Sequence, residues 1–368
     1  TQSRSSAASD VYKRQLQRLL MRRRQNFMST IKIVHVVEAL GGGVYTYFKN
    51  LTHILCEHPE LEVTVIYSAN RTEIDPQRVA TDFHPKTQLI ELSMQREIRL
   101  KDDIKAFKQL RKLFKEHKPD VLHLHSSKAG ILGRFAYRLS WLPKTKLFYT
   151  PHGFSFLRKD ISALKRFAFW SIEFLSQKFS GGTFIACGDT ECLYAKKLGP
   201  AVLVRNSIDL NTVKPNLEEK NKHIKRIGTL GRITYARNPK LFNALALNHP
   251  KLEFIWIGDG ELKHLLTAPN ITITGWFTQY ASGIEALKQL DVYVQTSLWE
   301  GLPIAVLEAS ARKIPVLATN IIGNKDIIAP GKTGYLFETT EEFEEVLKKL
   351  KPLEVRQKMG INAANRTT

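Results

Sequence analysis

Residues 297–320 read SLWEGLPIAVLEASARKIPVLATN and contain a polar turn, an apolar segment and a short β-like run in succession. Two glutamates, Glu300 and Glu308, stand in this stretch with seven residues between them. Pro303 suits the first position of a helix, because its fixed φ matches the helix and its missing N–H is not needed there. The pattern predicts a loop that contains Glu300, a helix that begins at Pro303 and contains Glu308, and a strand after it.

The start of this predicted helix favours an anion, because the N–H groups of Gly301 and Leu302 lie at the positive end of the helix dipole. Glu308 follows Pro303 at a distance of roughly 7 to 8 Å along a helix axis that rises 1.5 Å per residue. That distance is similar to the one between the sugar and the ribose of a nucleotide sugar. One carboxylate can therefore hold hexose hydroxyls and the other the ribose diol. The alternative is that Glu308 is a surface charge, although its AVLEAS window is otherwise apolar.

The rest of the chain repeats this alternation of β-like apolar runs with helical stretches. Such an alternation is typical of α/β proteins with parallel sheets, in which ligands bind beyond the carboxyl ends of the strands. The predicted strands are 31–37, 62–68, 88–92, 120–125, 146–150, 183–187, 201–206, 225–230, 252–258, 271–274, 291–296, 314–319 and 334–337.

A length of 368 residues favours two domains over a single hydrophobic core. A polar, proline-containing segment at 207–223 interrupts the alternation and is predicted to be a linker. The predicted domains are 28–206 and 224–350, followed by a tail at 351–368. Residues 1–27 hold seven Lys or Arg and no apolar core of a signal peptide, so they are predicted to be a disordered or vector-like extension.

The composition is that of a globular protein, since 43% of the residues are hydrophobic and 24% are charged. No uncharged apolar run reaches the length of about 18 residues that a transmembrane helix needs. Three scattered cysteines are typical of a reduced cytosolic protein and not of a disulfide scaffold. A net charge of +20 is compatible with nucleic acid, an anionic membrane surface or phosphorylated substrates.

Three glycines at 41–43 come directly after the first predicted strand and before an amphipathic helix. Glycine lets the backbone approach a ligand closely, so Gly42 and Gly43 are candidates for contact with a phosphate. The spacing differs from the dinucleotide fingerprint G-x-G-x-x-G, and no acidic residue ends the second strand to bind a ribose. The alternative is a tight turn with no ligand.

Three histidines follow or end predicted strands of the first half. His123 and His125 are two residues apart, so a strand points both to one face. A metal pair is conceivable, but no H-E-x-x-H motif or cysteine set accompanies them, and a polar pocket or a structural role are the alternatives. His152, in FYTPHGFSF (148–156), suits hydrogen bonding to a sugar or limited acid–base work, or is structural.

In the second half, Arg232 and Arg237 lie in LGRITYARNPKLF (230–242), just past its first strand. Guanidinium groups bind phosphate oxygens in a fixed fork, so the pair could neutralise a diphosphate where the chain has no i, i+2 aspartate pair for a metal. The alternative is a solvated basic loop. Gly275 and Trp276 are candidates for a base or acceptor pocket, although Trp276 could belong to the core.

The segment EGLPIAVLEA (300–309) resembles the signature of retaining GT-B glycosyltransferases of family 4. Five further motifs agree with that family in order and spacing over residues 31 to 350: the glycine turn, TPHGFSF, GRITYARNP, IGDGEL and PGKTGYLF. The motifs HLHSSKAGILGR and GGGVYTYF are similar to those of bacterial capsular and exopolysaccharide glycosyltransferases. The resemblance implies two Rossmann-like domains that face each other across a cleft.

The resemblance also implies roles for individual residues. The donor phosphate or sugar is approached by Gly42 and Gly43, the diphosphate is bound by Arg232 and Arg237, the donor sugar by Glu300 and the ribose by Glu308, and His152 lies beside the reacting carbon. The chain departs from the family at Arg237, where lysine is more common. The resemblance also implies a final helix that crosses back to the first domain, and the chain, which ends at GINAANRTT, is predicted to stop short of it.

The resulting hypothesis is a retaining transferase without cofactor or metal. It moves a hexose or N-acetylhexosamine from a nucleoside diphosphate sugar to a lipid-linked or glycan acceptor in cell-surface polysaccharide biosynthesis. The basic, aromatic stretches 96–118 and 157–179 predict a cytoplasmic enzyme bound peripherally to the anionic inner face of the cell membrane. The alternatives are a nucleotide-sugar epimerase of the same fold or a nucleic-acid-binding protein, although no RNP, helix-turn-helix or zinc pattern supports the latter.

Overall fold

The chain divides into two compact units, the first ending at Arg205 and the second beginning at Asn206. The predicted extension at 1–27 lies outside the part of the chain that is described. The computed structural model describes residues 30–38, 40–70, 74, 76–95, 97, 99–210, 212–214, 221–277 and 280–367.

The first unit is built on one parallel sheet. Its strands are β1 (Ile31–Val37), β2 (Leu61–Tyr67), β3 (Gln88–Glu91), β4 (Val121–His125), β5 (Lys146–Thr150), β6 (Thr183–Ala186) and β7 (Ala201–Leu203). Its helices are α1 (Gly43–Cys56), α2 (Pro76–Asp82), α3 (Leu100–His117), α4 (Ser127–Ser140), α5 (Ala163–Ser180) and α6 (Asp189–Leu198). The strands lie in the order β3-β2-β1-β4-β5-β6-β7.

The central strands β1, β2 and β4 are buried along almost their whole length, because helices cover both faces of the sheet. Along β1, Val34 and Val36 belong to one buried cluster, whereas Ile33 and Val37 belong to another. Successive side chains of a strand point to opposite faces. The two clusters are therefore the two hydrophobic layers on either side of the sheet.

The second unit repeats this plan with a smaller parallel sheet. Its strands are β8 (Arg226–Leu230), β9 (Glu253–Ile257), β10 (Ile271–Ile273), β11 (Val292–Gln295), β12 (Val316–Thr319) and β13 (Gly334–Phe337). Its helices are α7 (Pro239–Asn248), α8 (Tyr280–Ala286), α9 (Ile304–Ala311), α10 (Asn324–Ile327), α11 (Thr340–Lys349) and α12 (Leu353–Thr367). The strands lie in the order β10-β9-β8-β11-β12-β13.

Both sheets reverse their strand order at one point, between β1 and β4 in the first unit and between β8 and β11 in the second. This is the doubly wound arrangement, in which the loops after the strands on either side of the reversal form the ligand-binding crevice. The predicted fold class, two Rossmann-like α/β units, is confirmed.

One local prediction is wrong by a residue. Helix α9 begins at Ile304, and Pro303 is its N-cap with an extended ψ of 115°. The preceding loop has its own support, since the Asn206 side-chain amide donates to the carbonyl of Leu302 at 2.8 Å. The backbone is still extended at Pro303, and the helix begins one residue later than predicted.

The segment assigned to a tail forms helix α12, which packs against α9 within the second unit. Its Arg356 is buried and donates to the carbonyls of Leu350 at 2.8 Å and Asn221 at 2.6 Å. Among the helices of the described ranges, none combines the length and the apolar character that crossing a bilayer requires.

Candidate active-site residues of the two units

In the second unit, the loops that follow β8 and β11 lie side by side at the point where the strand order reverses. The N–H of Leu298 donates to the carbonyl of Ala236 at 2.8 Å, and the Thr296 hydroxyl donates to the carbonyl of Arg237 at 2.7 Å. These bonds bring Arg237 to Glu300, with 3.5 Å between Nε and Oε1. Arg237 and Glu300, two predicted site residues that are far apart in the sequence, therefore form an ion pair.

Glu300 is held by the strand that leads to it. Its Oε1 accepts hydrogen bonds from Gln295 Nε2 at 2.8 Å and from the Ser297 hydroxyl at 2.7 Å. Gln295 is fixed in turn, because its Oε1 accepts from the Tyr293 hydroxyl at 3.0 Å. Gln295, Ser297 and Arg237 all contact the same oxygen of Glu300, Oε1. These contacts fix the carboxylate, and its second oxygen takes no part in them.

The guanidinium of Arg237 is positively charged and has a nitrogen, Nη1, whose hydrogen-bonding capacity is not used by the described residues. Burial opposes its charge, but Glu300, Tyr293 and Glu308 nearby outweigh that effect and raise the pKa of Arg237. Its buried Nη1 has no hydrogen-bond partner among the residues that the structure describes. A buried donor without an acceptor is costly, so this atom fits an anionic ligand.

Gly231 makes room for that guanidinium. Its φ of +139° is unfavourable for other residues, and an added Cβ would lie 3.1 Å from Nη2 of Arg237. Gly323 does the same for the loop of Glu300, because a Cβ there would lie 2.7 Å from the carbonyl oxygen of Gly301. The sequence alone does not distinguish either glycine from the others, since only the folded chain shows what each one faces.

Arg232 lies in the same loop as Arg237 but has a different partner. Its Nε and Nη2 donate to Oε2 of Glu261 at 3.2 and 3.0 Å. The structure therefore places the two predicted arginines close in the chain but engages them with different carboxylates. A diphosphate that binds both would share Arg232 with Glu261.

Glu308 lies on helix α9 and is buried, with 3% of its surface exposed. The alternative that Glu308 is a surface charge is therefore wrong. A buried carboxylate is expensive unless a cation or hydrogen bonds compensate it. Its charge acts on Arg237 and Tyr293, which places it within electrostatic reach of the Arg237–Glu300 pair.

The predicted base pocket has an exposed aromatic ring. Trp276 is 54% exposed, so the alternative that it belongs to the core is wrong. Gly275 before it has a φ of +73°, and an added Cβ on Gly258 would lie 3.5 Å from the indole. The arrangement offers a flat apolar surface near the end of β10, and a base-binding role for it stays a prediction.

In the first unit, the two histidines of β4 join a third one. His35 on β1 pairs in register with His123, and the described ligand nitrogens of His35, His123 and His125 lie within 4.8 Å of one another. From the spacing of His123 and His125, a polar pocket was one of the predicted alternatives. His35 was missed, because a single histidine inside the strand IKIVHVV carries no local signal.

These rings are joined by hydrogen bonds. His35 Nδ1 lies 3.0 Å from His125 Nε2, and His125 Nδ1 lies 3.2 Å from His152 Nε2. His123 Nε2 instead pairs with the Thr150 hydroxyl at 2.8 Å. Each ring nitrogen named here faces a hydrogen-bond partner, so we describe the cluster as a hydrogen-bonded network.

Burial keeps these histidines neutral. It lowers the pKa of His35 to about 3 and that of His152 to about 4. Burial, and secondarily the neighbouring histidines, lower the pKa values of His123 and His125 well below their ordinary range. At neutral pH each ring therefore carries one proton and serves as donor at one nitrogen and acceptor at the other.

His152 is held in an unusual backbone conformation. Its φ of +53° is uncommon for a residue with a side chain and is typical of functional sites. The N–H of the following Gly153 donates to the buried carboxylate of Glu191 at 2.7 Å, and the other oxygen of that carboxylate accepts from the N–H of Cys187 at 2.8 Å. Glu191, which the sequence analysis did not identify, thus fixes the turn that presents His152.

The glycine turn before α1 leaves open space. Gly42 has a φ of +54°, and no atom of the described residues lies within 4 Å of a Cβ added there. Glycine is therefore required by the backbone and not by packing. The turn is tight, as the alternative interpretation holds, and it also leaves room for the close approach that the ligand interpretation needs.

Comparison with known proteins agrees with these features. Residues 41–212 match the family described as Glycosyltransferase Family 4, and residues 212–366 match Glycosyl transferases group 1. The chain is 32% identical to the Escherichia coli UDP-Gal:alpha-D-GlcNAc-diphosphoundecaprenol alpha-1,3-galactosyltransferase over 67% of this chain and 69% of that protein. It is 27% identical to an uncharacterized 41.2 kDa protein in the cps region of Klebsiella pneumoniae, over 86% of this chain and 89% of the other.

The fold agrees as well. Anabaena HepE in complex with UDP and glucose superposes with a TM-score of 0.69 at 15% identity, over 92% of this chain and 94% of that one. The chain therefore belongs to the group 1 and family 4 glycosyltransferases, and its two parallel-sheet units are those of the GT-B fold.

Proposed function

We propose that this glycosyltransferase moves a hexose or N-acetylhexosamine from a nucleoside diphosphate sugar to a hydroxyl of a lipid-linked or glycan acceptor, with retention of anomeric configuration. The observation that carries the proposal is the Arg237–Glu300 pair, which sets a cation with an unused buried donor beside a positioned carboxylate. A sugar linked to a diphosphate has the matching chemistry. The diphosphate oxygens accept hydrogen bonds from the guanidinium, and the sugar hydroxyls donate hydrogen bonds to the carboxylate.

The donor is proposed to be a uridine diphosphate sugar, with UDP-galactose as the first candidate. The name of the E. coli relative specifies UDP-galactose, and HepE binds UDP and glucose. Trp276 offers an exposed ring on which a base can stack. Glu308 is assigned to the ribose.

The chemical step breaks the bond between the anomeric carbon and the diphosphate oxygen, and forms a bond from the acceptor oxygen on the same face of the sugar. Arg237, Arg232 and the amide groups around Gly301 and Leu302 stabilise the negative charge that develops on the leaving group. His152 is assigned a place beside the reacting carbon, and Gly42 and Gly43 a place against the donor. No metal ion or other cofactor is required in this proposal.

The acceptor is proposed to be lipid-linked, and the enzyme to bind the anionic inner face of the cell membrane. Support comes from a group of exposed apolar side chains on and beside α4 and α5, here called the α4–α5 surface. Its members are Phe135, Leu139, Trp141, Leu164, Phe167, Leu175 and Phe179. Apolar side chains of this number on one part of a soluble domain are typical of an interaction site.

Cations accompany this surface. The guanidinium of Arg138 lies 5.7 Å from the ring centre of Trp141 and 5.9 Å from that of Phe179. Lys165 and Arg166 follow Leu164 in the chain. Aromatic rings with basic residues around them suit a headgroup region that is apolar on one side and anionic on the other. The E. coli relative, whose name specifies a diphosphoundecaprenol-linked acceptor, agrees with such a location.

The test is a donor screen with the full chain. UDP-, GDP- and ADP-linked hexoses and N-acetylhexosamines are incubated with a polyprenyl diphosphate–GlcNAc acceptor, and release of the nucleoside diphosphate is measured. We expect release that depends on both substrates and a product whose anomeric proton shows the donor's configuration by NMR. Conversion of the nucleotide sugar into an epimer without acceptor would instead identify an epimerase, and an inverted product would overturn retention.

A further inference from the structure

The hydrogen-bonded histidines of the first unit form a chain across three neighbouring strands. His35 lies on β1, His125 ends β4 and His152 follows β5, and these strands are adjacent in the sheet. The links are 3.0 Å between His35 and His125 and 3.2 Å between His125 and His152. His35 and His125 are fully buried, whereas His152 at the outer end is partly exposed.

We propose that His35 and His125 are positioning residues that fix the proton of His152, because the three rings adopt one and the same neutral tautomer. Only the expected effect on catalysis rests on the proposed function. The tautomer itself follows from the geometry of the chain and can be measured without substrate.

Each neutral imidazole ring has one N–H and one bare nitrogen, so it donates at one nitrogen and accepts at the other. If His35 donates from Nδ1, His125 must accept at Nε2 and therefore carries its proton on Nδ1. His125 then donates to Nε2 of His152, whose own proton must be on Nδ1. All three rings are then Nδ1–H tautomers.

The reverse arrangement is equally complete. If His152 donates from Nε2, His125 accepts at Nδ1 and donates from its Nε2 to Nδ1 of His35, so all three rings are Nε2–H tautomers. Any mixture of the two sets two protons or two lone pairs against each other across a distance of about 3 Å. Such a pair forfeits a hydrogen bond and leaves a buried polar group without a partner.

The inner end of the chain selects between the two arrangements. His35 Nε2 is buried and has no hydrogen-bond partner among the described residues. The tautomer of His35 depends on whether the surroundings of this atom, which include Phe48 at a ring-centre distance of 5.6 Å, better accommodate a bare nitrogen or an N–H. That preference is transmitted through His125, so a buried group on β1 decides whether Nδ1 of His152 is a donor or an acceptor.

The consequence for transfer is preorganisation. A free imidazole samples both tautomers. When His152 is hydrogen-bonded to His125 and His35, its Nδ1 is either always a donor or always an acceptor towards a sugar hydroxyl. Fixing a partner before the reaction removes the cost of reorganising it in the transition state. Loss of the chain is therefore expected to lower kcat more than it raises KM for the donor.

His123 provides the matched control. It is as buried as His125, and its ring centre lies 3.9 Å from that of His125. Its Nε2 pairs with the hydroxyl of Thr150, which can donate or accept and so imposes no tautomer. Replacing His123 disturbs the same packing without breaking the chain.

The experiment uses the full chain with ¹⁵N-labelled histidine and long-range ¹H–¹⁵N correlation at neutral pH. We expect the wild-type protein to show one tautomer, the same for His35, His125 and His152. His35→Phe and His125→Phe should leave His152 as a mixture of tautomers and lower kcat, by up to about 100-fold for a misplaced partner. His123→Phe should leave the tautomer of His152 unchanged.

The wild-type spectrum alone decides the matter if a variant fails to fold. Different tautomers among the three rings, or a mixture at His152, would overturn the proposal. So would a His152 tautomer that survives in folded His35→Phe. Because these spectra need no turnover, they remain interpretable even if the proposed transferase activity is absent.

Discussion

Arg237 Nε lies 3.5 Å from Oε1 of Glu300, so the cation assigned to the diphosphate is held by the carboxylate assigned to the sugar. Arg232 is paired with Glu261 instead. A ligand at the first pair would meet a guanidinium with an unused buried Nη1 and a carboxylate fixed through one oxygen. In the proposed function, the diphosphate and the sugar of the donor would therefore bind to two side chains that contact each other.

The two glutamates should give different kinetic effects. Glu300→Gln keeps the shape of the side chain but removes the charge, and should mainly slow transfer, by on the order of 10² if Glu300 acts in the transition state. Glu308→Ala should weaken nucleotide binding itself. Calorimetric Kd values for UDP, measured beside kcat and KM, separate the two effects. Glu253→Gln, on an exposed pair with Arg226, is the control.

Equal losses of UDP affinity in both variants, with kcat unchanged, would show that this division of roles is incorrect. Because Glu308 is buried, circular dichroism and melting of Glu308→Ala must show that the variant is folded before its affinity is compared.

Donor binding should not require a divalent ion. Arg237 and the amide groups before α9 can compensate the diphosphate charge, and the sequence has no i, i+2 aspartate pair. UDP affinity measured in chelator should match that in Mg²⁺, and Arg237→Met should weaken it in both. Binding that disappears in chelator and returns with Mg²⁺ or Mn²⁺ would contradict the prediction. Arg226→Met provides a control for loss of a remote arginine.

The α4–α5 surface should bind anionic membranes. A chain lacking residues 1–27 should co-float with anionic vesicles at low salt and dissociate as salt rises, because each Lys or Arg near such a surface adds roughly 1 kcal/mol of screened attraction. Serine in place of Leu164, Phe167 and Leu175 should reduce flotation. Serine at Leu247 and Ile361, exposed apolar residues of the second unit, should not.

If the shortened chain stays away from anionic vesicles at low salt, the membrane proposal fails and a soluble acceptor becomes the better one. If both serine variants float as well as the parent, the contact lies elsewhere on the protein.

The first unit should lose stability in acid. Burial lowers the pKa of His35 to about 3, below the value of about 6.5 in an unfolded chain, so between those values the unfolded form binds the extra proton. The stabilisation is complete above about pH 6.5 and is lost as the pH falls towards the folded pKa. Each such histidine contributes a slope of about 1.4 kcal/mol per pH unit.

Hydrogen exchange of peptides from β1 and β4, corrected for the intrinsic effect of pH, measures this loss between pH 7 and pH 5. Peptides from β8 and β11 are the internal reference. The dependence should be shallower in His35→Phe, and an exchange free energy for β1 and β4 that stays constant over this range would contradict the prediction.

The sequence by itself determined the two α/β units and nearly all of their strands. Strands 31–37, 146–150 and 334–337 have the predicted bounds, because buried parallel strands are continuous apolar runs between turn residues. The motif around Glu300 and Glu308 indicated the family, which the comparisons confirm. These are local patterns, and local physics is sufficient to interpret them.

Only the tertiary structure decided which of these residues meet. Both strand orders reverse, so β1 lies beside β4 and β8 beside β11, which joins His35 to His125 and Arg237 to Glu300. The loop before α9 is likewise contacted by Asn206, which donates to the carbonyl of Leu302. Contacts between residues 59 to 96 positions apart depend on sheet order, and no preference of a single residue or short segment encodes that order.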